Sequence, residues 1–469
     1  MFQARARGLP IRMRVLAFAG TALAIAGPLV GQEGPGDQIF GFGIGQTFGV
    51  NDNLRLDPDS AGTTSFSDTN LSFGFSNRTA VDALDFQLGG VFRLVDDPIL
   101  GTESGFRDQT FGLNYLREGA DARLSVYADY ANRDLAFLNP VDKIEISDQD
   151  IFQGGGTLEE YAAGLRLETG LQAPLGFVLD ARSSGRRYSD TTDPLLFPNR
   201  TNYVSLASLI RFSPVTQGRL AVSDEAYSSE DTLETQRDTR MIDFGLTHQF
   251  DEITALTLTL GHSEVTETFD LLPGVESVTS GPVGEVSLLR QMPNGSASAT
   301  LGTTLSEDGR QSTLEFGRLL ALPAGGLEFT LGVTQGSGFD LQPVGSLVYS
   351  ADLPTGALTA AVESYVDVSP TLSQTTRTTR VIFGYDYQVN EVSSLSFDLF
   401  YADLSYARDV VGDPVRSRGS FSATYVRDVT ENWDLLVGYE YGYYESTADG
   451  PARSNQLTFT LQRDFDVFR

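Results

Sequence analysis

The sequence predicts an all-β chain: a transmembrane, antiparallel, up-and-down β-barrel of about 22 strands (range about 18–24) with no plug domain. Three observations predict it. Beyond residue 31 no stretch is long and apolar enough to span a bilayer as a helix. Period-two runs recur almost to the end of the chain. Tight turns alternate with longer, more polar connections.

The runs come first. In Ala255–Gly261, Leu256, Leu258 and Leu260 share one face, while Thr257, Thr259 and Gly261 share the other. In Leu327–Thr334, Leu327, Phe329, Leu331 and Val333 oppose Glu328, Thr330, Gly332 and Thr334. Leu457, Phe459 and Leu461 oppose Thr458, Thr460 and Gln462. Such runs are about 10 to 13 residues long, as a tilted strand crossing a bilayer requires. Soluble strands average about 5 or 6. Aromatic residues gather at run ends, as at Tyr385, Tyr387, Tyr401, Tyr441, Tyr443 and Phe465, which suits the membrane–water boundary.

The turns set the strand count. Ten tight turns run from Arg78-Thr79-Ala80-Val81 to Thr430-Glu431-Asn432. They include Ser213-Pro214-Val215-Thr216, Met292-Pro293-Asn294-Gly295, Leu322-Pro323-Ala324-Gly325 and Leu353-Pro354-Thr355-Gly356, with the Pro and Gly that short connections need. Ten turns with loops between and outside them make eleven hairpins, hence about 22 strands. The longer set includes Asn51–Ser65, Val95–Gly105, Arg133–Gly156 and Arg187–Asn199.

Residues 1–31 read as a signal peptide and residues 32–469 as the barrel. Arg5, Arg7, Arg12 and Arg14 form a basic region, and Val15–Ala26 a short apolar one. Cleavage is placed after Gly31, with Ala26 as the alternative. Met13 is a second candidate start. An exported barrel of this kind belongs in the outer membrane of a Gram-negative bacterium. Its partners there are outer-membrane lipid, lipopolysaccharide and the barrel-assembly machinery.

Composition excludes several functions. The chain has no Cys, so disulfides, thiolate metal sites and a lipid-modified Cys are absent. With the four leader arginines removed, 29 basic and 62 acidic residues remain, a net charge of −33. Such a surface repels nucleic acid. Lys143 is the only lysine. The arginine bias reads first as the mark of a GC-rich genome and second as an always-charged fork suited to a pore wall.

The sequence resembles the β-barrel porins of Gram-negative outer membranes. The resemblance rests on the Gly49-Val50-Asn51-Asp52-Asn53-Leu54 segment after the first strand and on recurring strand-opening turns. These are Asp251-Glu252-Ile253-Thr254, Asn390-Glu391-Val392-Ser393 and Thr430-Glu431-Asn432-Trp433. It rests also on a final amphipathic strand ending in Phe, which departs from the family pattern: Phe468 precedes Arg469 and lies out of phase with Phe465. Phe465 is then the candidate anchoring ring.

Chemistry finds little footing. His248 and His262 fall in the lipid-facing phase, about 17 Å apart along their hairpin, and cannot share a metal or substrate. No cofactor, metal site or enzyme activity is expected. Asn51, Asp52, Asn53, Asp57 and Asp59 make an oxygen-rich first loop without the spacing of a calcium-binding EF-hand. The Gly154-Gly155-Gly156 run reads as a hinge.

The expected function is passive diffusion of small hydrophilic solutes with a preference for cations. The third long loop carries Asp134, Asp142, Glu145, Asp148 and Asp150 as candidate constriction residues. Folding into the lumen and lying on the surface are equally open to it. Arg123, Arg166 and Arg211 are candidate lumen arginines by strand phase. The alternatives are a polysaccharide export conduit and a structural or adhesive barrel with a blocked lumen. The short lead before the first strand leaves no room for a plug, which counts against a TonB-dependent transporter.

Overall fold

The computed structural model describes residues 38–138, 155–191, 196–369, 374–407, 416–430, 432–447 and 450–468. It is one antiparallel sheet of 22 strands closed on itself. The first third holds β1 Gln38–Asn51, β2 Thr64–Arg78, β3 Asp82–Asp97, β4 Gly101–Glu118, β5 Ala122–Asp134, β6 Thr157–Thr169 and β7 Leu175–Ser189. Next come β8 Asn199–Ser213, β9 Thr216–Ser229, β10 Thr235–Gln249, β11 Thr254–Phe269, β12 Glu276–Met292, β13 Gly295–Ser306, β14 Gly309–Leu322 and β15 Gly325–Gly336. The remainder is β16 Gln342–Leu353, β17 Gly356–Ser369, β18 Gln374–Asn390, β19 Ser393–Tyr406, β20 Arg416–Thr430, β21 Trp433–Ser446 and β22 Gly450–Phe468.

Each strand pairs with its sequence neighbours, and β22 pairs back onto β1, so no edge is left to lipid. The sheet order is sequential, so strand n lies across the lumen from strand n + 11. The ten tight turns of the sequence connect even strands to the following odd ones, all at one end. The longer connections lie at the other end, the extracellular side in barrels of this kind.

The tight turns share a device. An oxygen on the first residue accepts the backbone N–H two positions on: Asp251 Oδ1 from Ile253 at 2.9 Å, Asn390 Oδ1 from Val392 at 3.0 Å, and the Thr430 and Ser213 hydroxyls from Asn432 and Val215 at 3.3 Å. Side-chain oxygens of this kind close a turn locally. The turns with both Pro and Gly use glycine instead. Gly295 and Gly325 sit at φ 129 and 145°, and a Cβ there would fall on the carbonyls of Leu319 and Ser350.

Strand alternation sets the faces. Leu206, Val222, Ile242, Leu331 and Leu457 stand on the outer surface, 49–64% exposed in the protein alone. Their neighbours in sequence face inward. Outward rings run from the closing seam along β1–β4: Phe465–Phe42 across the seam, then Phe40–Phe75, Phe73–Phe86 and Phe86–Phe111, with centroids 4.7–6.1 Å apart.

The strands are longer than the sequence suggested, from 12 to 19 residues. The excess lies toward the extracellular end, where the outward row turns polar. On β10 it changes from Phe244 and Ile242 to Arg240, Asp238 and Gln236. The expected Val95–Gly105 loop shrinks to residues 98–100, because Asp97 Oδ1 accepts from the N–H groups of Ile99 and Leu100 at 2.8 and 3.0 Å and tightens the turn.

Candidate functional site: a charged inner wall with connections folded onto it

The inner wall carries charge unevenly. On β5–β9 the inward phase holds Arg123, Arg166, Arg182, Arg186, Arg211 and Arg219. Several form a ladder with acids of the same wall. Arg123 reaches Glu118 and Glu168 at 2.7 and 3.6 Å; Arg166 reaches Glu168 and Asp180 at 2.8 and 3.6 Å; Arg186 reaches Glu160 at 3.0 Å. Further round the ring, β12–β21 present Glu285, Glu315, Glu328, Asp386, Asp398 and Asp434 inward. Among the described residues none of these six has an arginine within 4 Å. The inner wall therefore carries paired charges on β5–β9 and unpaired acids elsewhere.

At the extracellular end three connections fold onto the inner wall, each with its own small apolar cluster. Such clusters are usual beneath long loops.

The first is the β1–β2 connection. Leu56 packs with Leu404, Tyr444 and Ala452, side chains of β19, β21 and β22. Asn53 donates from its amide to the carbonyls of Asp57 and Arg453 at 2.7 and 2.9 Å. Asp52 accepts from the backbone and side chain of Asn455 at 2.6 and 2.8 Å. The oxygen-rich loop thus uses much of its polarity on internal bonds.

The second begins at the root of the β5–β6 connection. A 3-10 turn, Leu135–Phe137, is capped by Asp134, whose Oδ1 accepts from the Ala136 N–H at 3.1 Å. Leu135 packs with Leu158 and Leu196. Phe137 covers Arg93, whose guanidinium carbon lies 3.6 Å from the ring centroid. Arg93 is 3% exposed and binds Asp68 with two nitrogens, Nε at 3.0 Å and Nη2 at 2.9 Å. Asp108 and Asp134 approach the same guanidinium at 2.9 and 3.5 Å. Asp108 is aimed inward by a bulge in the β3–β4 pairing, where it takes a left-handed φ of 50°.

The third cluster is Phe339, Val344, Val366 and Ala407. Nearby, the β13–β14 turn is also tied in. Its Glu307 lies 2.5 Å from Arg237 of β10, which also holds Glu267 at 3.0 Å. Burial raises the Glu307 carboxyl above its ordinary range, and Arg237 opposes the shift.

Of the expected site residues, Arg123 and Arg166 stand in the ladder. Arg211, also inward, instead donates to the carbonyls of Gly170 and Ala173 at 2.8 and 2.5 Å and clamps a tight turn. Asp134 joins the Arg93 cluster. Asp142, Glu145, Asp148 and Asp150 lie outside the described residues. So do residues 1–31, Lys143 and Gly154. The two histidines are apart: His262 pairs with Ile242, and His248 lies six residues along β10, about 20 Å away. Arg93, Arg237 and Leu56 were missed. Strand phase marks both arginines as inward, but no sequence spacing signals partners that come from other hairpins.

No protein-family profile matches the sequence. No curated protein matches it either. Solved structures do. The FrpB iron transporter of Neisseria meningitidis (F5-1 variant) superposes with a TM-score of 0.57 at 10% identity, over 92% of this chain and 83% of that one. The ferric-catecholate import receptor Fiu of E. coli K12 gives 0.56 at 10%, over 92% and 82%. The copper transporter OprC gives 0.53 at 13%, over 92% and 81%. At these identities the likeness is one of fold. It places the chain among bacterial outer-membrane β-barrels.

Two expectations are corrected. The predicted class was a porin-type barrel with no plug domain. The barrels of this size that share its fold are described as transporters and an import receptor, and 22-stranded transporter barrels carry a plugged lumen. Passive diffusion of solutes with cation preference falls with it, as do polysaccharide export and a blocked structural barrel. The porin resemblance reduces to that of an outer-membrane barrel.

Proposed function

We propose that the chain is an outer-membrane import receptor that takes up a small ligand at its extracellular mouth and passes it inward through the lumen. The observation that supports this reading is the packing of extracellular connections inside the rim. Leu56, Leu135 and Phe339 from three connections are buried against inward strand residues. Connections folded onto the inner wall suit a ligand that is bound at the mouth before it is admitted.

The fold likeness to iron and copper transporters directs the choice of ligand to a chelated metal ion. In this reading Arg123 and Arg166 orient a charged ligand against the acids further round the ring. The acidic connection bearing Asp134, Asp142, Glu145, Asp148 and Asp150 helps narrow its path. Residues 32–469 make up the mature protein, assembled by the barrel machinery among lipopolysaccharide.

The test is whole-cell uptake of radiolabelled ferric chelates and of copper, in cells with and without the chain, under metal limitation. Saturable uptake that depends on the chain is expected for at least one of them. Equal uptake with and without it, together with linear flux of unrelated sugars through the purified barrel in liposomes, would overturn the reading.

A further inference from the structure

The second strand breaks the lipid-facing pattern of its neighbours. Strand alternation puts Ser65, Ser67 and Thr69 of β2 on the outer face. Phe48 of β1 flanks them on one side and Phe92 and Leu94 of β3 on the other, all about half exposed. Three small polar residues in a row therefore stand between two apolar walls. Phe459 of β22 continues the wall behind Phe48, its register partner. The missing bulk on β2 leaves a recess in the outer surface. Its volume, about 680 Å³, falls within the range of about 300–1,000 Å³ that ligand pockets span.

The floor of the recess is polar. Gln46, outward on β1, donates from Nε2 to the Ser67 hydroxyl at 2.9 Å, and its Oε1 accepts from the Thr69 hydroxyl at 2.8 Å. Lipid offers polar groups no partners, so groups that face it bond to one another. Those two bonds leave donors over. Ser67 accepts from Gln46 and keeps its own proton, which has no acceptor among the described residues. Among the described residues no arginine lines the recess, so it is not built for a phosphate. Its walls stand one strand either side of β2, about 10 Å apart at a strand spacing of about 4.8 Å. A helix with its side chains is about 10–12 Å wide and does not enter, whereas a single hydrocarbon chain does. The recess lies toward the extracellular end of the apolar band. Its upper margin is Asp96, whose Oδ1 accepts from the Thr102 hydroxyl at 3.0 Å. It is therefore continuous with the lipid-facing surface and opens into the outer leaflet.

We infer that this recess seats one acyl chain of a lipopolysaccharide molecule, the lipid of that leaflet. The methylenes lie between Phe48 and Leu94, and an ester or hydroxyl oxygen of the chain accepts from the Ser67 hydroxyl. The inference goes beyond the import reading and does not depend on it.

The test is lipid retention by the whole barrel. Purified protein is incubated in detergent with equal amounts of deep-rough lipopolysaccharide and phosphatidylethanolamine, exchanged into fresh detergent and weighed by native mass spectrometry. The unaltered barrel should retain one lipopolysaccharide. Ser67→Phe fills the recess and should retain roughly tenfold less, because it displaces the methylenes buried there. Thr69→Leu fills the same floor and gives the same reading if Ser67→Phe assembles poorly. Ser67→Ala keeps the space and removes the donor, so its retention should fall between the two. Leu331→Phe, at an exposed apolar position on β15, is the control and should retain as much as the unaltered barrel. Resistance to unfolding in cold SDS confirms that each protein is folded. Equal retention by the unaltered barrel and the folded, filled variants would overturn the proposal. So would a barrel that retains no lipid, one that retains phosphatidylethanolamine in place of lipopolysaccharide, or one whose recess is taken by a second copy of the chain.

Discussion

Phe42 of the first strand and Phe465 of the last meet on the outer surface, their ring centroids 6.1 Å apart across the seam that closes the barrel. The contact gives the closing strand pair an aromatic anchor three residues before Phe468. An aromatic pair contributes about 0.5–1.5 kcal/mol beyond area burial. A double-mutant cycle with Phe42→Ala and Phe465→Ala, read by urea unfolding in lipid vesicles, should return a coupling energy in that range. A coupling near zero would show that the rings act independently and that the seam rests on its backbone ladder alone.

Arg93 is the cation that pairs with Asp68, Asp108 and Asp134, which lie close together. Removing one partner of a buried ion pair costs about 3–5 kcal/mol. Arg93→Ala should therefore lower barrel stability by that order and detach Phe137 from the wall. Arg93→Ala/Asp68→Ala should recover part of the loss, because fewer charges are left unpaired. Urea midpoints of the single and double variants check the stability outcomes; protease sensitivity just after residue 134 checks the detachment.

The Asp251 turn has a pH signature. Its carboxylate accepts the Ile253 N–H, and this bond is the main cause that holds its carboxyl below the ordinary value, which is about 3.9. A depressed folded value means that the turn gains stability above the unfolded value and loses it as pH falls through the folded one. Carbon-13 titration of the Asp251 carboxyl should give a midpoint below that of a free Asp. Asp251→Asn, which keeps the acceptor, should remove the pH dependence and keep the turn.

Gly325 has a neighbouring carbonyl where a Cβ would go, and its φ of 145° is one that L side chains rarely adopt. Gly325→Val should reduce the folded fraction at assembly, seen as a loss of the heat-modifiable band on a gel. Ala324→Val, one position earlier in the same turn, is the control and should assemble normally.

The mature N-terminus is expected at Gln32. Sequencing the N-terminus of protein recovered from the outer membrane tests this. A terminus at Gly27 would favour cleavage after Ala26 instead.

Much of the barrel was legible because its rules are local. Leu457, Phe459 and Leu461 alternate with Thr458, Thr460 and Gln462 through covalent geometry alone, and the paired strands keep that alternation. The turn at Asp251 is written in its own residues. Strand ends were less legible. The outward row of β10 passes from Ile242 to Arg240 without leaving the sheet, so an apolar pattern measured the membrane rather than the strand. The candidate site was legible only in part. Strand phase put Arg123 and Arg166 on the inner face. It was silent on the role of Arg211, whose charge goes to two turn carbonyls.

By itself, then, the sequence determined the period, the turns and the lipid-facing surface, because each depends on residues one to four positions apart. Only the tertiary structure decided where the extracellular connections pack. Leu56 meets Tyr444 and Ala452 about four hundred residues further along the chain, and Arg93 meets Asp134 from a different hairpin. Such contacts depend on where a closed sheet of 22 strands brings its ends and loops together. No local pattern encodes that meeting, because a side chain pointing into the lumen is compatible with many partners until closure of the ring selects one.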